Sequence, residues 1–369
     1  MFDTVKLQIP RGRYEIIDHS KFIPPTIRML ENKLPYFKYV NNPISYDKSL
    51  KIYKPKMTIY KRGAGYYLVI ELSAPKVIFN NNVDELENKN FDEVLKKLKE
   101  KLFAMGVEVN LNSLKYAQVL ALHPSKNIQL SRGYTSTFAM RELAKIDISK
   151  KFDISKIKFK NNIEESLFYT KSHSLVFYDK IADLEKAENR AVDKQQTKYQ
   201  KSLFDYLKEK QRIELLRMEV RLSEKRKMNE ILKEVGYSPD PLFKDIFKKD
   251  LCQKILNLYW TKYFSDNPFI YSTHNDPQEI LQKIFMIYPK MKNPMAYKYV
   301  GLYMLCKAEQ GIRGLRQIIE SRRIYKVNWE LAKREFEKFE DKIFSNSVWG
   351  FLQDIKRELK EFKPFRLKK

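Results

Sequence analysis

Short stretches in which apolar and polar residues alternate dominate the first part of the chain, and they predict a β-rich region. Residues 1–10 alternate in this way and predict a first strand. Two apolar runs, 57–60 and 66–73, flank a glycine-containing turn and predict a β-hairpin. The runs 166–169 and 175–178 predict a second hairpin. Strands joined in this way predict an antiparallel sheet.

The strictest alternation lies in residues 216–222 and predicts a half-buried strand with one apolar and one charged face. The charged face carries Arg217, Glu219 and Arg221. One interpretation is a ladder of ion pairs on an exposed sheet face, which adds little stability. The other is a metal-binding carboxylate between two guanidiniums that bind phosphate.

Helical spacing appears in residues 91–105, whereas residues 111–122 predict a strand that ends in a loop beginning at His123. His123 is either a metal ligand or general base, or a structural residue, and a single histidine before a proline is more often structural. Lys126, which lies in the same predicted loop beside a serine and an asparagine, has the chemistry of a phosphate contact.

A stretch rich in proline and glycine at 236–241 marks a predicted domain boundary. It divides the chain into a domain at 1–235, with a charged helical arm at about 181–212, and a mostly helical domain at 236–369. We expect the basic tail at the end of the second domain to be partly mobile.

Within the helical part, Gly311 separates two predicted helices, and the second is basic and carries Arg313 and Arg316. Two short helices around a glycine turn are typical of a helix-turn-helix DNA reader. Packing in a helical bundle is the alternative.

The composition indicates the kind of partner. The 369-residue chain has 71 lysines and arginines against 46 acidic residues, which gives a net charge of +25. Such an excess predicts a polyanionic partner, most simply nucleic acid. A coding bias towards lysine is a second source of the charge. The sequence has no apolar run of about 18 residues, so we expect no membrane anchor. Its two cysteines and four histidines show no zinc-finger spacing.

The stretch 174–180 is a short predicted strand that ends at Tyr178 and is followed by Asp179 and Lys180. Tyr178 is either an ordinary strand aromatic or a nucleophile whose phenolate is held near the Lys180 cation. The residues alone favour the first interpretation.

Three stretches in this order, 67–77, 175–180 and 216–222, resemble the gene II family of filamentous-phage replication initiators, which are rolling-circle nickases. The tyrosine-X-lysine stretch followed by an arginine-X-glutamate strand also resembles plasmid initiators of the Rep_trans type. The resemblance implies an α+β fold: an antiparallel-sheet nickase domain of the Rep type with helices on one face, followed by a mostly helical C-terminal domain.

The resemblance also implies roles for particular residues. Tyr178 would be the nucleophile, with Lys180 beside it, and Glu71 and Glu219 would be ligands of one Mg²⁺ or Mn²⁺ ion. Relatives often carry an aspartate in the strand after the first helix, but residues 114–123 contain no carboxylate. His123 is the candidate for the missing ligand, and an imidazole ligand would favour Mn²⁺.

The implied function is to nick one strand of single-stranded or supercoiled origin DNA, leaving a 5′-phosphotyrosine and a free 3′-OH, and later to rejoin the strand. Lys126, Arg217, Arg221, Arg313 and Arg316 are the predicted DNA contacts. A host helicase is a further candidate partner, and the expected location is the cytoplasm of a prokaryotic host of a mobile element. The alternatives are a non-catalytic, sequence-specific DNA-binding protein on the same scaffold, and a basic RNA-binding or structural protein.

Overall fold

The protein is described by a computed structural model. Its described residues are 1–23, 38–42, 52–62, 65–146, 165–185, 213–265, 273–308, 310–321 and 349–367. Most of the predicted arm, 186–212, therefore lies outside the described residues.

An antiparallel sheet of eight strands, in the order β3-β4-β5-β1-β7-β10-β9-β8, forms the centre of the described structure. The short strands β2 and β6 pair separately. The strands are β1 (Phe2–Pro10), β2 (Glu15–Ile16), β3 (Lys38–Asn41), β4 (Lys56–Arg62), β5 (Gly65–Ser73), β6 (Val107–Glu108), β7 (Gln118–Gln129), β8 (Glu165–Tyr169), β9 (His173–Asp179) and β10 (Leu215–Leu222).

Helices follow the strands in the first part of the chain and make up the second part. They are α1 (Ala74–Phe79), α2 (Phe91–Ala104), α3 (Leu111–Lys115), α4 (Ser136–Leu143), α5 (Lys180–Glu185), α6 (Lys225–Glu234), α7 (Phe243–Ile246), α8 (Lys249–Tyr263), α9 (Pro277–Ile287), α10 (Asn293–Lys307), α11 (Gly311–Ser321) and α12 (Gly350–Glu361). Among the described residues, no helix combines the length and apolar character needed to cross a membrane.

These elements confirm the α+β prediction in its coarse form. The first strand, both hairpins, the helix that begins at Phe91 and the two helices predicted on either side of Gly311 form among the described residues. The Rep-type identity of the sheet stays a prediction.

The predicted strand at 111–122 is wrong at both ends. Residues Leu111–Lys115 form a helix, whose first turn is capped when Asn110 accepts a hydrogen bond from the Ser113 amide at 2.7 Å. Strand β7 then runs from Gln118 through Pro124 to Gln129. Proline lacks an amide hydrogen and suggests a strand end. The sheet accommodates Pro124 opposite Phe2, near the start of β1, so β7 continues past it.

One buried core on the apolar face of the sheet joins the sheet to the C-terminal helices. Phe264, just after α8, packs edge-on against Phe177 of β9 at 5.4 Å. Glu358 of α12 reaches Lys126 of β7 at 3.3 Å. This core contains residues from both sides of the predicted boundary, and the division at 235 stays a prediction.

The predicted mobile tail is wrong for its described part. Residues Gly350–Glu361 are helical, and the segment after them is tied to residues 84–87. The Glu85 amide donates to the Phe365 carbonyl at 3.1 Å, and the Leu367 amide donates to Asp84 at 3.0 Å. The tail is therefore part of the packed structure.

Candidate functional site: a buried tyrosine between a carboxylate and a guanidinium

The alternation of β10 and its pairing with β9 bring Tyr178 and the charged residues of β10 to one face of the sheet. Tyr178 lies opposite Arg217, and Glu219 lies two residues further along the same strand. The Tyr178 hydroxyl donates a hydrogen bond to Glu219 Oε2 at 3.0 Å. Arg217 Nη1 donates to the same hydroxyl oxygen at 3.4 Å. The phenol thus lies between a proton acceptor and a cation.

Arg217 is held from several sides and is only 2% exposed. Its Nε donates to Asn127 Oδ1 at 2.7 Å, and its Nη2 donates to the Asn82 carbonyl. Its Nη1 lies 3.5 Å from Asp3 Oδ2, a carboxylate that also accepts a hydrogen bond from the Ser73 hydroxyl at 2.6 Å. Because its donors are directed into the protein, the prediction that Arg217 is a DNA contact is wrong for this structure.

Glu219 is buried as well, so an exposed ion-pair ladder is excluded for this strand. Its Oε1 accepts a hydrogen bond from Arg221 Nε at 2.8 Å and lies 3.7 Å from His123 Nδ1. Burial raises the pKa of the Glu219 carboxyl, but the charges of Arg221 and His123 outweigh this effect, so its pKa lies below the usual value. Glu219 is therefore ionised, and its oxygens accept hydrogen bonds from neighbouring donors.

The phenol keeps its proton at neutral pH. Burial raises the pKa of Tyr178 well above its usual value, and the opposing effect of Arg217 is smaller. Burial disfavours the Arg217 charge, but the Tyr178 oxygen and the Asp3 carboxylate together raise the pKa of the guanidinium. The Tyr178 hydroxyl is therefore a neutral donor to the Glu219 carboxylate, with the Arg217 cation beside its oxygen.

Lys180 begins α5, directly after β9, and its Nζ lies 5.6 Å from the centre of the Tyr178 ring. It donates to Asp183 Oδ2 at 2.9 Å. Burial lowers the pKa of Lys180 to about 8, against the opposing effect of Asp183. The ammonium is therefore near Tyr178, as predicted, but it is fully buried and paired within its own helix.

Neighbouring segments of the chain cover the site, and Tyr178 is only 7% exposed. Helix α5 packs on β9 and β10, and Asn82 reaches Arg217 from the loop after α1. Val83 and Leu215 form a small apolar cluster, against which the tail residue Phe365 packs. Access to the phenol therefore requires this cover to open.

Glu71 lies on the same face of the sheet as Glu219 but is far from it. It is opposite Lys6 of β1, and Lys6 is opposite Ala121 of β7, whereas Glu219 is opposite Ser125. Three strand-to-strand steps and four residues along the strands therefore separate the two glutamates, or about 14 Å and about 13 Å by ordinary sheet spacing. The prediction that they share one metal ion is wrong for this structure.

The remaining predicted metal ligands, Glu219 and His123, do lie together. Among the described residues, no group of three histidine, cysteine or acidic side chains is placed to hold a metal ion. The pair supplies one carboxylate oxygen and one imidazole nitrogen, and Arg221 already donates to that oxygen. A divalent ion fits here only if Arg221 moves away.

Lys126 is not a surface phosphate contact. Its side chain is 1% exposed, and its Nζ donates to Glu85 Oε2 at 3.0 Å and to the Asn127 carbonyl at 2.9 Å. It lies opposite Met218, on the apolar face of the sheet beneath α12, because the strand continues past Pro124. The loop expected from the sequence would have exposed it.

The two arginines predicted as DNA contacts in the helical part lie on α11. Arg316 donates to Glu320 of the same helix at 2.8 Å, and Arg313 is partly buried. Their role as DNA contacts stays a prediction, as does that of Arg221, whose side chain is 32% exposed.

Sequence reasoning missed Asp3, Asn82 and Glu85, which carry much of the buried polar network. Asp3 is a charged residue at a position of the first strand that is in phase with the apolar residues Val5 and Leu7. A charge at such a position indicates a buried polar partner, so the sequence did contain a signal for Asp3. Asn82 contributes a backbone carbonyl, and nothing in its residue type indicates that role.

No protein-family model, curated protein or solved structure matches the chain.

Proposed function

We propose that the protein is a tyrosine nickase and strand transferase that initiates rolling-circle DNA replication. The observation that supports the proposal is the hydrogen bond from Tyr178 to the ionised Glu219, with Arg217 on the same oxygen. A nucleophile within hydrogen-bonding distance of a base that other groups orient is the usual arrangement for covalent catalysis. The net charge of +25 fits a DNA substrate.

In the proposed reaction, Tyr178 Oη attacks the phosphorus of a phosphodiester and its proton passes to Glu219 Oε2. The bond from phosphorus to the 3′-oxygen breaks, and that oxygen leaves as a 3′-OH after taking a proton from water. The DNA stays attached through a 5′-phosphotyrosine. The reverse attack by a 3′-OH rejoins the strand without ATP, because the covalent link retains the phosphodiester energy.

We propose Mg²⁺ or Mn²⁺ as the cofactor, held by Glu219 Oε1 and His123. When bound, such an ion would neutralise charge on the non-bridging phosphate oxygens. Arg217 and Lys180 are the cations of the chain itself near the phenol, and they would stabilise the phenolate.

The test is covalent capture of DNA by the full-length protein. A random-sequence pool of single-stranded DNA, labelled at both ends, is incubated with Mn²⁺ or Mg²⁺, and adducts are detected under denaturing conditions and mapped by mass spectrometry. We expect an adduct on Tyr178 that is lost in Tyr178→Phe and kept in the control Tyr116→Phe, which alters an exposed tyrosine. An adduct that persists in Tyr178→Phe would exclude Tyr178 as the nucleophile.

Two further variants separate the roles of the neighbouring residues. Glu219→Gln keeps the shape of the side chain but removes the base, so adduct formation should fall by about 10²–10⁴-fold. For His123→Ala we expect weaker stimulation by Mn²⁺ than in the wild type. Normal cleavage with both ions would remove His123 from the proposed metal site.

A non-catalytic DNA-binding protein on the same scaffold is the second candidate, and the 7% exposure of Tyr178 favours it. In that case Arg217 and Glu219 would be a buried structural network. A wild-type protein that binds the DNA pool but forms no adduct with either ion would support this candidate. Binding of DNA by α11, through Arg313 and Arg316, belongs to both proposals.

A further inference from the structure

A pair of stacked tyrosines lies on the sheet, away from Tyr178. Tyr60 of β4 and Tyr67 of β5 are directly opposite each other, with ring centroids 5.6 Å apart and planes inclined by 28°. Both side chains are partly exposed. The Tyr60 hydroxyl donates to Gln8 Oε1 of β1 at 2.7 Å, which fixes the position of its ring.

The tyrosine pair lies on the same face of the sheet as the Tyr178 site. Tyr67 shares its face with Glu71, four residues later on β5, because side chains alternate along a strand. Glu71 is opposite Lys6, and Lys6 is opposite Ala121, which shares a face with His123. His123 in turn lies beside Glu219.

The charge on this part of the face is positive. Glu71 lies between Lys6 of β1 and Lys56 of β4, which are opposite it on the two neighbouring strands. Lys38 of β3 is opposite Tyr60. The three lysines are partly exposed. Lys38 is beside the tyrosine pair, Lys6 and Lys56 lie four residues further along the strands, and together they outnumber Glu71 among the described residues of this face.

We infer that Tyr60 and Tyr67 form a platform for single-stranded DNA. Bases stack on the outer faces of the two rings, and Lys6, Lys38 and Lys56 contact the phosphates. Aromatic rings that protrude from a basic sheet face bind single strands in this way, since a duplex keeps its base faces covered. The choice of DNA rests on the proposed function; the preference for a single strand rests on the partly exposed, stacked rings.

The platform positions the strand and takes no part in the reaction. Asn127 of β7 is in register with Arg217 and Tyr178, and it lies six residues from Ala121 on the same strand. Ala121 is in register with Glu71 through Lys6, and Tyr67 lies four residues further away from the Tyr178 site along β5. The tyrosine pair is thus about 33 Å from Tyr178 along the strand direction by ordinary strand rise.

The neighbouring residue Tyr66 offers a matched control. It is on the same strand as Tyr67 but on the opposite face, where Arg11 lies 5.1 Å from its ring centre. It is also partly exposed, so its replacement removes a tyrosine ring from the other side of the sheet.

The experiment measures binding of fluorescent oligothymidylate by anisotropy, in a Tyr178→Phe background that prevents covalent capture. For Tyr60→Ala/Tyr67→Ala we expect binding about 10-fold to 100-fold weaker, because each base stack is lost. Tyr60→Phe/Tyr67→Phe keeps both rings and should bind like the parent, as should Tyr66→Ala. Binding to a duplex should be the same for all variants.

Photo-crosslinking gives a second readout that does not depend on the folding of any variant. An oligonucleotide that contains bromodeoxyuridine should crosslink to Tyr60 or Tyr67 of the parent protein. The inference is overturned if the double alanine variant binds like the parent or if Tyr66→Ala loses as much binding as that variant. It is also overturned if the parent does not bind oligothymidylate, or if crosslinks form only at other residues. An equal loss with oligouridylate would support it, because stacking does not read the sugar.

Failure of the platform and failure of the nickase are distinguishable. If the platform is wrong and the nickase is right, the Tyr178 adduct forms and the double alanine variant binds normally. In the reverse case, the double alanine variant loses binding while no adduct forms.

Discussion

Replacing Lys126 with methionine tests whether this lysine stabilises the fold or contacts nucleic acid. Its Nζ lies 3.0 Å from Glu85 Oε2 and 3.3 Å from Glu358 Oε2. Methionine retains most of the apolar stem of lysine, so the main change is the loss of the cation. Glu85 is only 4% exposed and would remain as a buried carboxylate without its closest positive charge.

We expect a large loss of stability. Removing one partner of a buried ion pair costs about 3–5 kcal/mol, because the remaining charge is buried without its main partner. At about 2 °C per kcal/mol for a large domain, the melting temperature should fall by roughly 6–10 °C.

The pH dependence gives the sign of the effect. Burial raises the pKa of Glu85, but Lys126 and other nearby positive groups outweigh it and hold the pKa below the usual value. Glu85 therefore stabilises the fold above the pKa of an unfolded glutamate, and this contribution is lost as the pH falls through its folded pKa. Without Lys126 the folded pKa rises, so acid unfolding of Lys126→Met should begin at a higher pH than in the wild type.

Thermal and urea unfolding at several pH values measure both effects. Lys126→Met/Glu85→Gln should recover part of the lost stability, and the control Lys96→Met, which alters an exposed lysine of α2, should stay close to wild type. The reasoning is refuted if Lys126→Met unfolds like the wild type while its DNA binding weakens and the salt slope falls by about one. Lys126 would then be the phosphate contact that the sequence predicted.

Three other predictions follow from local features. Gly311→Ala should destabilise the protein, because Gly311 has φ +62° and a Cβ there would lie 2.4 Å from the Lys145 carbonyl oxygen. Gly301→Ala, in an open helical position, should stabilise the protein by about 0.5–1 kcal/mol. Thermal melting of both variants checks these expectations. Burial lowers the pKa of His173 to about 4, so the unfolded chain takes up a proton first and stability should fall as the pH drops from about 6.5 to about 4; urea unfolding should show a flatter profile in His173→Gln. If the Lys180 cation assists the reaction, adduct formation should decline above about pH 8 in the wild type but not in Lys180→Arg, as a pH series of the capture assay would show.

Residue periodicity was sufficient to predict the strands that carry the site. The alternation of β10 places Glu219 and Arg217 on one face, and the hairpin brings Tyr178 beside them, as the hydrogen bonds confirm. The same alternation suggested an exposed charged face, because local sequence does not show what covers a strand. Here α5 and the Asn82 loop cover it, and both contacts depend on the tertiary fold.

The placement of Glu71 shows a second limit of sequence reasoning. Its position in β5 predicts its face, but its distance from Glu219 depends on the order of the strands in space. Two strands, β1 and β7, lie between β5 and β10 in the sheet. Nothing in the spacing of the motifs along the chain encodes that order, so the predicted pair of metal ligands was separated by the topology.

The two oxygens of Glu219 divide the chemistry that the site can perform. Oε2 accepts the hydrogen bond from the Tyr178 hydroxyl, while Oε1 faces Arg221 and His123. A metal ion at Oε1 would therefore compete with Arg221 for that oxygen, while Oε2 could keep its hydrogen bond from Tyr178. Arg221 is suited to give way because its side chain is 32% exposed and can exchange its hydrogen bond for water at low cost. Arg217, bound on several sides and 2% exposed, has no such freedom. If the protein is the proposed nickase, Arg221→Gln should change the Mn²⁺ or Mg²⁺ dependence of adduct formation in the capture assay, whereas Arg217→Gln should lower adduct formation with either ion.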